Sequence, residues 1–123
     1  MNRQAAERRG RGAETLACWY LRLKGWRILA RRARVPGGEV DIVARRRGTL
    51  AFVEVKARAS KEAAAFALDD WRLRRVAIAA ERLAPRYMRA GDDVRIDALF
   101  IVPRRWPTHL ADVWQGDKAH LTP

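Results

Sequence analysis

The chain has 123 residues, 49% of them apolar, which suits one domain with a hydrophobic core and is too many for a disordered chain. Lysine and arginine number 26 against 14 acidic residues, and the formal charge of +12 favours a polyanionic partner, nucleic acid first. The lone cysteine, Cys18, excludes an intramolecular disulfide and a cysteine-rich zinc site, no apolar run approaches the ~20 residues of a membrane span, and the first residues lack the apolar stretch of a signal peptide, so a cytoplasmic protein that binds no membrane is expected.

Residues 1–12 are polar and basic, with Gly10 and Gly12, and read as a flexible lead-in to a single domain spanning 1–123. From Ala13 a helical stripe begins. Ala13, Leu16, Ala17, Tyr20 and Leu21 recur at three- and four-residue spacing, and Gly25 is suited to stop the helix. Cys18, in "LACWYL", reads as a buried structural thiol, and Glu14 lies beside the stripe, facing inward at the helix start. "WRILARRARV" is a half-buried strand with Trp26, Ile28 and Ala30 on one face and arginines opposite. Pro36-Gly37-Gly38 is a turn. Residues 39–46 and 50–58 are two strands around a short turn at Arg47-Gly48. Ser60 is a possible helix N-cap before an alanine-rich run. A second strong helix follows Asp69-Asp70, with Leu73, Val76, Ala77, Ala80, Leu83 and Ala84 on one face, and Pro85 ends or kinks it. "VRIDALFIV", 94–102, is an apolar strand, and residues 110–114 add a short strand or helix. This order predicts an α/β sandwich with a mixed sheet.

The hairpin carries the chemistry. With Arg47 and Gly48 as loop residues, Asp41 falls opposite Glu54 and Glu39 opposite Lys56. Alternation then places all four on one face with Val43, Leu50 and Phe52, while Val40, Ile42, Ala44, Ala51, Val53 and Val55 form an apolar face behind them. Two opposed carboxylates repel, and exclusion of water worsens the repulsion. A divalent cation is one remedy: Mg²⁺ takes oxygen ligands, which Asp41, Glu54 and the Val55 carbonyl could supply beside waters and a substrate phosphate. Such an ion lowers the pKa of a bound water and neutralises phosphate charge, and Lys56 is placed to orient that water. The other remedy is a structural salt-bridge ladder, in which Lys56 and a neighbouring arginine neutralise the acids.

"GAETLACWYLRLKGWRIL", "GEVDIVARRRGTLAFVEVKAR", the alanine-rich helix and "VRIDALFIV" together resemble the bacterial YraN-like proteins, over about 12–114. That family is related to restriction-endonuclease-like nucleases and similar to archaeal Holliday junction resolvases. The resemblance implies a restriction-endonuclease-like three-layer sandwich, a mixed sheet with helices on both faces. It implies a D…(D/E)-x-K motif on the hairpin, matched by Asp41, Glu54 and Lys56, with Glu14 as the helical glutamate that assists metal or water positioning. Mg²⁺ or Mn²⁺ would be the cofactor, DNA the substrate, a 5′-phosphate the product and a homodimer a plausible assembly. Asp97, in "RID", matches a recurrent aspartate that buttresses the hairpin or the basic patch. The chain departs from the pattern at Val40, where a proline is frequent, and at Asp69-Asp70-Trp71-Arg72, where relatives carry a lysine-glutamine pair. Arg72 or Arg75 could substitute for that lysine at the phosphate.

Beside a carboxylate site, the clusters Arg8-Arg9-Arg11, Arg31-Arg32-Arg34 and Arg45-Arg46-Arg47 read as phosphate-positioning groups, as does Arg58. Trp106, flanked by Arg104 and Arg105, is the best of the five tryptophans for stacking on a base, and His109 and His120 read as surface residues. The expected function is a metal-dependent endonuclease on structured or branched DNA; the alternative is a non-catalytic nucleic-acid-binding module on the same fold.

Overall fold

The computed structural model describes the backbone of residues 3–115 and the side chains of residues 10–115. Arg8, Arg9 and His120 therefore have side chains outside the described residues. The chain opens with helix α1 (Arg3–Leu23), which buries Ala13, Ala17, Cys18 and Leu21. The helix begins well before Ala13, so the basic segment read as a lead-in continues it as helical backbone from Arg3. Burial pushes the Cys18 thiol up, as expected of a core cysteine. Gly25, at φ +90°, ends α1: its N–H donates to the Arg22 carbonyl at 3.0 Å and the Trp26 N–H to the Leu21 carbonyl at 2.9 Å, a Schellman motif.

Strand β1 (Arg27–Val35) pairs antiparallel with β2 (Gly38–Arg46), which pairs antiparallel with β3 (Thr49–Ala57). Helix α2 (Lys61–Ala67) is capped by the Ser60 hydroxyl, which accepts from the Ala63 N–H at 3.1 Å. Helix α3 (Asp70–Tyr87) is capped by Asp69, which accepts from the Arg72 N–H at 2.9 Å. Pro85 does not end α3. It sits within the last turn, and the helix runs on to Tyr87, closed by the Met88 N–H on the Ala84 carbonyl. Strand β4 (Asp93–Ile101) then pairs parallel with β3, and β5 (Thr108–Leu110) antiparallel with β4. Among the described residues, the fold is thus three helices on a five-stranded mixed sheet of order β1-β2-β3-β4-β5.

The two sides of the sheet have separate cores. Leu50 and Phe52 of β3, Val43 of β2 and Ile96 of β4 pack with Leu73, Val76, Ala79, Ala80 and Leu83 of α3. Ala51, Val53, Ile42, Ala44 and Leu99 pack with Ala17, Cys18 and Leu21 of α1, and with Trp26. Alternation along the central strands therefore sends α1 to one face and α3 to the other, and α2 covers Ala98 and Phe100 beside α3.

Two expectations of facing are corrected. Val40 packs with Val43 on the α3 side, not with Ile42. Ala30 likewise sits on the α3 side while Trp26 and Ile28 face α1. The cause is irregularity in β1. Its register shifts between Ile28 and Ala30, and Arg32 takes a left-handed φ of +50°. Arg32 stands where the β1–β2 register would set Asp41 opposite it, and strict two-residue alternation fails on both strands there.

Candidate active site

The hairpin closes as its spacing predicts, with Arg46 opposite Thr49, Ala44 opposite Ala51 and Ile42 opposite Val53. The ladder stops there. Continued, it would set Val55 opposite Val40; instead the Val55 N–H donates to Asp41 Oδ2 at 2.7 Å. The Asp41 side chain thus takes a backbone donor that pairing would have consumed, and it lies where β2 and β3 part. Glu54, one residue before Val55, is 4% exposed and shares a hydrogen bond with the Asp41 carboxyl. Lys56 is 7% exposed and holds its Nζ 3.1 Å from Glu54 Oε2.

Burial first, and the Glu54 charge second, push Asp41 up to about 7, against the pull of the Val55 N–H and Lys56. Part of the salt-bridge ladder is realised, since Lys56 pairs with Glu54. It is incomplete, because a proton rather than a second cation settles Asp41 near neutral pH.

Glu14 reaches the same neighbourhood from α1. It is 6% exposed, and its Oε1 accepts from Arg31 Nε at 3.3 Å and Arg32 Nε at 3.1 Å. Arg31 is steadied by donating to the Thr15 hydroxyl at 3.1 Å. Glu14 and Asp41 line one hollow of about 180 Å³ with Arg32, Arg34, Glu39 and Val40. Glu39 does not face Lys56 as expected. Its carboxylate is taken by arginines from β1 and α3: Arg72 Nη1 at 3.2 Å, Arg34 Nε at 3.6 Å and Arg75 Nε at 3.9 Å. Arg72 and Arg75 also flank Trp71, at 5.4 and 5.2 Å from its ring centroid.

The remaining basic candidates separate. Arg46, Arg47 and Arg58 are exposed. Arg45, expected at the phosphate with them, is instead buried: it forms a two-pronged pair with Asp92 and donates to the carbonyls of Tyr87 and Arg47. Asp92 is held down at about 2, chiefly by that arginine. Asp92 was invisible as a partner, because it sits in a turn-like "GDD" far along the chain. His109 is also corrected from surface to structure. Its Nε2 lies 2.7 Å from Asp97 Oδ2, and its ring packs 5.9 Å from Trp26. Asp97, fully buried, also accepts from Arg95 and the Asp112 N–H; burial raises its carboxyl, but the bonds from His109, Arg95 and Asp112 together outweigh it and hold the group below its ordinary value. That network ties β4 to β5 and to the segment after it.

Among the described residues, no group of three His, Cys, Asp or Glu side chains gathers closely enough to hold a metal alone. Mg²⁺ commonly uses one or two carboxylates and completes its shell with waters and substrate oxygens. The half-buried Asp41, which keeps its proton to about neutrality beside the buried Glu54, fits that chemistry, since a cation between the two would displace the proton and relieve the repulsion.

Residues 13–101, which contain all four of Glu14, Asp41, Glu54 and Lys56, match the model of the Uncharacterised protein family UPF0102. The chain belongs to the UPF0102 family. It is 59% identical over 115 residues to a UPF0102 protein of Sphingopyxis alaskensis, covering 94% of this chain and 99% of that one. It is 55% identical over 117 residues to a UPF0102 protein of Rhizorhabdus wittichii, covering 94% and 99%. It is 54% identical over 112 residues to one from Parvibaculum lavamentivorans, covering 90% and 84%. The UPF0102 match ends with the last residue of β4, so β5 and His109 lie beyond it while Asp97 lies inside it. No helix among the described residues is long and apolar enough to cross a membrane.

Proposed function

We propose that this UPF0102 chain is a metal-dependent endonuclease on a restriction-endonuclease-like fold, cutting phosphodiester bonds in structured or branched DNA. The observation that carries the reading is the Asp41–Glu54 pair: a half-buried carboxyl against a buried one, beside one lysine, in a chain of net charge +12. A polyanion drawn to that surface would meet an acidic recess beside arginines from β1 and α3.

Asp41 and Glu54, with the Val55 carbonyl and Glu14 in support, would hold Mg²⁺ or Mn²⁺. Bound there, the ion would supply an acidified water and neutralise charge on the phosphate. Lys56, fixed on Glu54, orients the attacking water with its remaining N–H donors. Glu14, clamped by Arg31 and Arg32, orients water from the α1 side of the hollow. Arg34, Arg72 and Arg75 exchange Glu39 for a phosphate of the incoming backbone, since a carboxylate and a phosphate offer them the same paired oxygens. In-line attack leaves a 5′-phosphate.

The test is a Mn²⁺-supported cleavage screen over junction, flap, duplex and single-stranded DNA. Asp41→Asn, Glu54→Gln and Lys56→Ala are each expected to lower the rate by at least about a hundredfold. Variants that cut as well as the parent remove these residues from the reaction. A second reading, a DNA-binding module without cleavage, is favoured by the Lys56–Glu54 pair, which already neutralises one acid. Calorimetric titration separates the two. Heat on adding Mn²⁺ that Asp41→Asn abolishes supports the enzyme, whereas silence with intact DNA binding supports the module.

A further inference from the structure

α1 presents a second stripe that the core does not use. Leu16, Trp19 and Leu23 recur at spacings of three and four, and are 48%, 60% and 75% exposed. Tyr20 flanks the stripe and meets Trp106 of the β4–β5 connection, ring centroids 6.4 Å apart and tilted 45°. Trp106 is 78% exposed. Tyr20, Leu23, Lys24 and Trp106 enclose a hollow of about 350 Å³. Lys24 also walls a second hollow of about 600 Å³, shared with Gly25, Arg46, Arg47 and Thr49. The Schellman turn at Gly25 holds Lys24 between the two.

Two features say what covers this surface. None of the residues lining either hollow is acidic, and cations alternate with the rings: the Arg22 guanidinium is 5.7 Å from the Trp19 centroid, the Lys24 ammonium 5.5 Å from that of Tyr20. Flat rings interleaved with cations match a ligand that repeats an aromatic plane and a negative charge. Duplex DNA hides its base faces in the stack, so only unpaired nucleotides offer both.

We infer that this surface binds a single-stranded nucleic-acid segment, with bases stacked on Trp19 and Trp106 and phosphates received by Lys24, Arg46 and Arg47. The inference deepens the nuclease reading, on which its biological use rests, by naming an unpaired strand as a substrate feature. Along α1, Trp19 and Leu23 lie five and nine residues beyond Glu14, an axial rise of roughly 8–14 Å, and on the exposed side of the helix while Glu14 is buried.

The test is anisotropy of labelled oligo(dT), oligo(U) and a duplex of equal length at fixed salt. Parent protein should bind a single strand, and an oligo(U) arm reads whether the sugar matters, either strand supporting the site. Trp19→Ala and Trp106→Ala should each weaken single-strand binding about fivefold to a hundredfold and leave duplex binding within about twofold. Trp19→Phe, which keeps a ring, should recover much of the loss. Phe66→Ala, at an 88% exposed aromatic on α2, should change nothing. Tryptophan variants that hold oligo(dT) like the parent overturn the inference. So does sedimentation showing a parental dimer that either variant dissociates, which would make the stripe a contact between copies. Asp41→Asn should keep single-strand binding whether or not it cleaves, so failure here and failure of the nuclease reading are read separately.

Discussion

Asp41 is the residue on which protonation and function meet. The folded chain keeps its proton up to about pH 7, whereas an unfolded aspartate releases it near pH ~3.9. Between those values the native state binds more protons, so its stability falls as pH rises from about 4 to 7 and levels off above. The cost at pH 8 is at most on the order of 4 kcal/mol. Asp41→Asn removes the ionisation, so in metal-free buffer the variant should melt above the parent at pH 8 and level with it at pH 5. Mn²⁺ should raise the parent's melting temperature at pH 8 and leave the variant's unmoved. A parent equally stable at both pH values would show that burial and Glu54 do not act on Asp41 as described. The acids were legible because the two-residue turn sets the register of the hairpin tip and aims both strands at one neighbourhood, although the ladder ends at Ile42–Val53, before the Asp41–Glu54 pairing that alternation predicts. The partners of Arg45 and Glu39 were not, because Asp92 and Arg72 are brought to them by tertiary packing across long stretches of chain that leave no local pattern.

At the scale of the element, α3 can approach β2 only because residue 38 has no side chain. A Cβ on Gly38 would lie 2.6 Å from the Arg75 carbonyl oxygen and 2.8 Å from the Ala79 nitrogen, both backbone atoms that cannot rotate away. Gly38→Ala should therefore push α3 off the sheet, at a cost of about 1–3 kcal/mol or more in urea denaturation. It should also loosen Arg72 and Arg75 from Glu39, weakening DNA binding even in molecules that remain folded. An unchanged urea midpoint would mean the helix sits farther out. Two helix boundaries followed from residue types with known mechanisms, Ser60 as an N-cap and Gly25 as the left-handed stop, and α3 begins after Asp69, which caps it. β1 was read as regular and is not. Its register shift and the left-handed Arg32 are choices of backbone that an arginine-rich strand does not advertise, and they move Ala30 and Val40 to the other layer.

For the whole molecule, the parallel β3–β4 pairing requires the long α2–α3 crossover, and the mixed α/β sheet was foreseeable from the order of elements. The charge of +12 makes salt the decisive variable for any polyanion. If about six phosphates are contacted, DNA affinity should drop roughly a thousandfold between about 50 and 200 mM salt, on mixed sequences alike. An affinity flat across that range would speak for a protein partner instead. Charge also serves the margin of the sheet. β1 forms one border, and it carries Arg27, Arg31, Arg32 and Arg34 along an interrupted backbone. A kinked, cationic border offers poor purchase to a foreign strand, so the guanidinium groups that clamp Glu14 also discourage fibrillar stacking. Neutralising them together should leave that border open to strand addition, read as a rise in light scattering on incubation.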